Sequence, residues 1–286
     1  MTASIINGTK KLPRVAAVHD ISGYGKCSLT VAIPVLSAAG VEVCPVPAAV
    51  LSTNTLFPGF TFFDATAHMK ECITHWKLLG LKFDSVYSGF LGSAEQIEIV
   101  LSLIRDFQSG LAIIDPVMGD NGNIIKTYTP ELCEKMKDLV AAAHLATPNI
   151  TEACILSGID YIGNEISSEQ SRTLCERVRS LGTKNVVLTG VIRGQKLYNC
   201  ILEEGGKYCE SEIALLDFQM HGTGDLFTSV LTAALMRGYE LKAAVDSAAL
   251  FVRDAMVESL EVEAAMERGV AFEPLVYKLH TGIYQG

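Results

Sequence analysis

The sequence predicts an α/β fold, a three-layer α/β/α sandwich around a mostly parallel central sheet. Two observations carry this. Short β-branched runs alternate with longer amphipathic runs along most of the chain, the signature of a parallel sheet with helices on both faces. Glycine, hydroxyl and carboxylate residues collect directly after the strands, at the edge where such sheets bind ligands. Apolar residues fill 49% of the 286 positions and charged ones 19%, so a large core forms without covalent staples.

The elements follow in order. Arg14–His19 reads as a strand and Lys26–Ala39 as a helix. Val41–Val50 reads as extended; its two prolines, Pro45 and Pro47, point to an edge or lid strand. Asp64–Leu79 reads as a helix, Ser85–Tyr87 as a strand, Ala94–Gln108 as a helix and Leu111–Ile114 as a strand. Pro130–Ala142 is helical, His144–Ala146 a short strand, and a helix starts near Thr151. Ser168–Ser180 is a helix and Asn185–Leu188 a strand. Lys196–Leu202 and Lys207–Leu215 form an antiparallel pair around Gly205-Gly206, followed by helices at Asp225–Arg237 and Leu241–Leu260.

Charge and cysteine use exclude several classes. With 23 Lys+Arg against 32 Asp+Glu the net charge is −9, which argues against a nucleic-acid partner. The eight cysteines form no CxxC pair, and no secretory apolar stretch opens the chain. Free thiols in a reducing cytoplasm are expected. The longest apolar region, Val31–Leu51, contains Glu42 and three prolines, so no membrane partner is expected.

Six segments follow the strands: Ser22–Gly25, Ser88–Gly92, Asp115–Asp120, Thr147–Glu152, Thr189-Gly190 and Gly222–Asp225. In the last, two glycines let the backbone approach a ligand, and the free amides of the following helix face an anion. Asp225 can act there as a general base or as an N-cap. Asn149 and Glu152 have the spacing of a capping box, the stronger reading of the pair alone; the functional reading has them offer oxygens to the waters around Mg2+. Asp115 ends a buried strand, and the Gly119–Gly122 segment after it is either a turn or a flap. Gly23-Tyr-Gly25 is a poor dinucleotide fingerprint, because Ser28 stands where the third glycine belongs. Lys26, at a helix start, opposes the dipole and is solvated or faces an anion. His68, Cys72 and His75 share a helix flank with the spacing of metal ligands, but with no fourth partner.

Together these motifs resemble the ribokinase-like superfamily of small-molecule kinases, and within it the pyridoxal (vitamin B6) kinase family. The resemblance rests on the order Asp115, Asn149-x-x-Glu152, Thr189 and Gly222-Thr-Gly-Asp225, and spans about Arg14 to Leu260. Ser22-x-Tyr-Gly25, Leu51–Thr55, Tyr87–Phe90 and Asp115–Asp120 bring it to the vitamin B6 group. It implies a single ribokinase-like domain over residues 1–286, a small β flap and a shared-edge homodimer. It implies transfer of the ATP γ-phosphate to the 5′-hydroxymethyl of a B6 vitamer. Asp225 would be the base, with Gly222, Thr223 and Gly224 forming an anion hole. Asp115, Asn149, Thr189, Gly190 and Thr223 would meet ATP, and Glu152, Asp115 and Asn149 would hold Mg2+ mainly through water. Ser22, Thr55 and Phe90 would line the vitamin pocket, Asp120 and Tyr128 would belong to the flap, and a monovalent cation (K+) would sit near the anion hole.

The chain departs from the family at Lys26-Cys27-Ser28, where Val-Gly-Asn is frequent, and at Phe57 and Phe90, where tyrosine is frequent. The alternatives are a hydroxymethylpyrimidine kinase of thiamine synthesis on the same scaffold and, in a different class, a non-catalytic vitamin carrier or sensor. Retention of Asp225, Asn149 and Glu152 together favours turnover.

Overall fold

The computed structural model describes residues 5–6 and 9–286. The strands are β1 (Ile5–Ile6), β2 (Thr9–Lys10), β3 (Arg14–Ser22), β4 (Glu42–Leu51), β5 (Phe62–Asp64), β6 (Ser85–Ser88), β7 (Leu111–Ile114), β8 (Gly119–Asp120), β9 (Asn123–Ile124), β10 (Leu145–Ala146), β11 (Asn185–Arg193), β12 (Lys196–Leu202) and β13 (Tyr208–Ala214). The α-helices are α1 (Leu29–Ala38), α2 (Thr66–Leu78), α3 (Ala94–Phe107), α4 (Pro130–Ala141), α5 (Ile150–Ser157), α6 (Ser168–Arg179), α7 (Thr223–Met236), α8 (Leu241–Ser259) and α9 (Ala265–Arg268). A 3-10 turn, Val276–Thr281, follows.

Nine strands form the main sheet in the order β13-β12-β11-β10-β7-β6-β3-β4-β5. The run from β11 to β4 is parallel, while β12, β13 and β5 extend it antiparallel. A parallel strand is buried on both faces, and its side chains alternate between them. In β7, Ile113 enters one core and Ile114 the other; Leu145 and Ala146 divide likewise in β10. One core packs α2 to α6 against the sheet, and the other packs α1, α7, α8 and the C-terminal segment through Phe272 and Tyr284. The three layers expected from the alternation are present.

Helix starts follow local chemistry. The hydroxyls of Ser93 and Thr129 accept from the N–H groups of Gln96 and Leu132, and Pro130 opens α4 where its missing N–H costs nothing. The first helix begins at Leu29 rather than Lys26, because Gly25 and Ser28 both take positive φ (94° and 50°). β4 pairs with β3 along one side and is an open edge on the other over most of its length, as its prolines lead one to expect. Its outer side is covered only at Ala49–Leu51, by β5, which the sequence reading missed. Pro45 and Pro47 fall on the uncovered stretch, where an absent N–H is tolerated. The flap is the β8–β9 hairpin, turned by Asn121 and Gly122 at φ 49° and 78°. The last parallel strand runs on past Leu188 to Arg193, through a register shift around Gly190. Among the described residues, no helix is long and apolar enough to cross a membrane.

Candidate active site

The residues that follow β7 and β10, Asp115 and Thr147, both meet Thr228 of α7. Gly222 caps this helix at φ 81°, and no side chain satisfies its first amides. Those amides therefore stay available to an anion, and the helix dipole favours one there. Asp225 is the third helical residue, so the N-cap reading of it falls to Gly222. Burial and the nearby Asp20 charge push the Asp225 carboxyl up to about 7, against the opposing pull of the Ser28 backbone N–H. A carboxylate poised near neutrality suits proton abstraction.

Asp115 lies at the end of β7, buried, and accepts a hydrogen bond from Thr228 Oγ1 (3.2 Å). Burial, then the Asp225 charge, raises its pKa. Glu152 follows in the same line. Its two oxygens accept from the backbone N–H groups of Met118 (3.2 Å) and Asn149 (2.8 Å). Burial, then the Asp115 charge, lifts its pKa well above the usual carboxylate range. Asn149 Oδ1 accepts from Glu152 N–H (3.0 Å), completing the capping box, and Asn149 Nδ2 donates to the Gly119 carbonyl (2.8 Å) at the flap. The capping reading of this pair is therefore present in the geometry, and Asn149 also ties flap to helix. Next to it, Thr189 N–H donates to the Pro148 carbonyl (2.9 Å), and Gly190 turns at φ 77°.

The aromatic residues converge nearby. The rings of Phe90 and Tyr128 stand 5.9 Å apart, and Phe62 and Phe90 both lie within 4 Å of where a side chain on Gly92 would begin. Tyr128 is 8% exposed and packs in the core below Phe90, so it is not a surface residue of the flap. Ser22 is buried and donates to Asp20 Oδ2 (3.3 Å). Thr55 is exposed, on a loop whose Asn54 N–H donates to the Tyr24 carbonyl (2.9 Å).

Other expectations change. Lys26 does not face an open anion site; its Nζ pairs with Glu273 at 2.6 Å. His68 and His75 are exposed. Among the described residues, no group of three His, Cys, Asp or Glu side chains is placed to hold a metal directly. Two residues of the site were missed in the sequence, Asp20 and Thr228. Asp20 was findable as a carboxylate at the end of the first long strand. Thr228 reads only as part of an apolar helix.

A parallel sheet with a glycine-capped helix and a line of buried carboxylates at its carboxyl edge defines a small-molecule kinase of the ribokinase-like class. The chain belongs to the phosphomethylpyrimidine kinase family, whose pattern matches residues 33–269. It is a kinase of the vitamin B6 and hydroxymethylpyrimidine group, and that membership implies ATP as co-substrate and a divalent metal. Its fold is similar to a Bacteroides thetaiotaomicron protein provisionally named a phosphomethylpyrimidine kinase, solved with pyridoxal. The two share 37% identity and a TM-score of 0.89, over 94% of this chain and 96% of that one. A Bordetella avium pyridoxine/pyridoxal/pyridoxamine kinase is 28% identical over 269 residues, covering 88% of this chain and 87% of that protein. A Haemophilus influenzae hydroxymethylpyrimidine/phosphomethylpyrimidine kinase is 30% identical over 182 residues, covering 61% of this chain and 65% of that protein.

The buried carboxylates carry a stability cost with a defined sign. Asp115 has a folded-state pKa above its unfolded one, so its ionisation at higher pH opposes folding, and the penalty is absent at acid pH. Asp115→Asn can still accept from Thr228. Its melting temperature at pH 8 should exceed that of the unaltered protein by about 2–4 °C per kcal/mol regained. The gain should shrink toward pH 4 in calorimetry, and an equal gain at both pH values would mean that charge burial is not its source.

Proposed function

We propose that the protein uses ATP to phosphorylate the 5′-hydroxymethyl group of pyridoxal, pyridoxine or pyridoxamine. The observation that carries this reading is Asp225, half-buried in the first turn of α7 beside uncapped amides, its carboxyl pushed up to about 7. Phosphoryl transfer needs positioning and charge neutralisation more than covalent help. Asp225 takes the proton of the attacking hydroxymethyl group. The amides of Gly222, Thr223 and Gly224 face the transferring phosphoryl group. Thr189 and Gly190 border the nucleotide beside Asn149, and Ser22, Thr55, Phe90 and Tyr128 form or back the vitamin pocket. Aromatic residues suit a flat pyridine ring.

Asp115 and Glu152 repel each other across the site without a cation, and with Asn149 they offer oxygen donors. That chemistry fits Mg2+ held mainly through water. Bound there, the metal would neutralise phosphate charge.

A second reading, phosphorylation of hydroxymethylpyrimidine, is supported by the family match and the Haemophilus influenzae relative. Both substrates are aromatic nitrogen rings with a hydroxymethyl arm. ADP release should be measured with Mg-ATP and each of pyridoxal, pyridoxine, pyridoxamine and hydroxymethylpyrimidine. Strong turnover of a B6 vitamer is expected. Turnover of the pyrimidine alone would replace the first reading with the second, and vitamin binding without any turnover would favour a carrier.

Asp225→Asn should bind both substrates and lose at least about a hundredfold in kcat, the typical general-base contribution. In the unaltered enzyme kcat/KM should rise with pH to about 7 and then level, as Asp225 loses its proton. A flat profile from pH 5 to 8 would remove Asp225 from the base role.

The edge beside the site also supports the homodimer. Phe62 and Phe63 on β5 are 45% and 64% exposed, next to the unpaired side of β4. Exposed aromatics on a sheet edge are normally covered. Light scattering should give twice the chain mass, and Phe63→Glu should return it to the single-chain value; a monomer in the unaltered protein would end this reading.

A further inference from the structure

Asp20 sits at the end of β3, where pairing with β4 slips between His19 and Ile21. It is 6% exposed. Among the described residues no ion pair reaches it, and the nearby Lys26 is engaged by Glu273. Its partners are neutral hydroxyls: Ser22 Oγ donates at 3.3 Å and Ser28 Oγ at 2.5 Å. Burying a carboxylate against neutral partners is costly, and hydroxyl groups alone do not require it.

Ser28 explains what the bond achieves. Its backbone stands at φ 50°, ψ −128°, a region that a residue with a Cβ rarely occupies. That turn stands against the head of α7, the helix that bears Asp225. The same turn carries the Lys26 carbonyl, which lies only 2.3 Å from where a Cβ on Gly222 would be. The conformation of Ser28 thus links β3 to the helix that bears the base.

We propose that Asp20 is a positioning residue for Asp225: by accepting from Ser28 Oγ it holds Ser28 at positive φ, and the turn so held, through the Lys26 carbonyl against Gly222, fixes the start of α7 and with it the Asp225 carboxylate. This rests on the reading of Asp225 as the base.

The test uses the conformational freedom of glycine. Glycine adopts φ 50° unaided, so it replaces the anchor without replacing the hydroxyl. Ser28→Ala and Asp20→Ala should each lower kcat about tenfold to a hundredfold, the usual cost of misplacing a reacting group. KM for ATP and for the hydroxymethyl substrate should stay near the unaltered values. Ser28→Gly should retain most of kcat, and Asp20→Ala combined with Ser28→Gly should recover most of what Asp20→Ala lost. A purely structural Asp20 gives no such recovery. Pyridoxal and hydroxymethylpyrimidine would both be used as substrates, with folding checked by circular dichroism. If Asp20→Ala fails to fold, the contrast between Ser28→Ala and Ser28→Gly decides alone. Equal loss in Ser28→Gly and Ser28→Ala, or unchanged kcat in Asp20→Ala, overturns the inference. Near-normal turnover in Asp225→Asn overturns the base assignment instead, whereas loss there with normal Asp20→Ala defeats only the positioning role.

Discussion

The Lys26 carbonyl oxygen occupies the space that any side chain at position 222 would need, 2.3 Å from the ideal Cβ position. A Cβ on Gly269 would meet the same oxygen at 3.2 Å, and Lys26 N–H donates to the Arg268 carbonyl at 2.7 Å. The loop after the first long strand, the start of α7 and the C-terminal segment therefore close on one another through backbone atoms alone. Only glycine permits this approach, and at Gly222 it also supplies the positive φ. The open helix start, the placement of Asp225 in its first turn and the turn at Ser28 all depend on that contact. The Lys26–Glu273 pair adds a side-chain tie across the same junction, though it is partly exposed and worth little alone.

Electrostatics explains why such a junction has to be held firmly. Asp225, Asp115 and Glu152 lie in sequence across the carboxyl edge, and each raises the pKa of the next. Their mutual repulsion and burial oppose folding, and the two large cores on either side of the sheet offset it. Sites of this kind commonly trade stability for chemistry. Positive partial charge comes from the amides at the head of α7 rather than from basic side chains. This agrees with a chain of net charge −9 that handles a polyanionic nucleotide.

Asn149 shows how one residue can satisfy two readings at once. Its side-chain oxygen caps α5 and its side-chain nitrogen holds Gly119 of the flap. Thr151 adds a second tie, its hydroxyl accepting from Gly122 N–H at 2.9 Å. The flap hairpin is thus coupled to the same helix start that orients Glu152, and movement of one requires adjustment of the other. Caps of this type are worth about 1 kcal/mol, so the coupling is firm without being rigid.

The sequence by itself determined the parallel sheet, the helices on both faces and the edge that carries the site, because side-chain periodicity is local and each strand ends in residues whose chemistry is readable. It also marked Asp115, Asn149, Glu152 and Gly222–Asp225, since glycine turns and capping spacings are short-range patterns. It did not determine that β4 is covered at one end by β5, where three exposed residues become a strand only through pairing. Nor did it reveal that Tyr128 lies in the core, that Lys26 pairs with Glu273 from the far end of the chain, or that Asp20 holds the Ser28 turn against the start of α7. These depend on contacts between residues up to 247 positions apart. Burial and charge coupling, which set the pKa of each carboxylate, exist only once the tertiary structure has brought those groups together and removed the water between them.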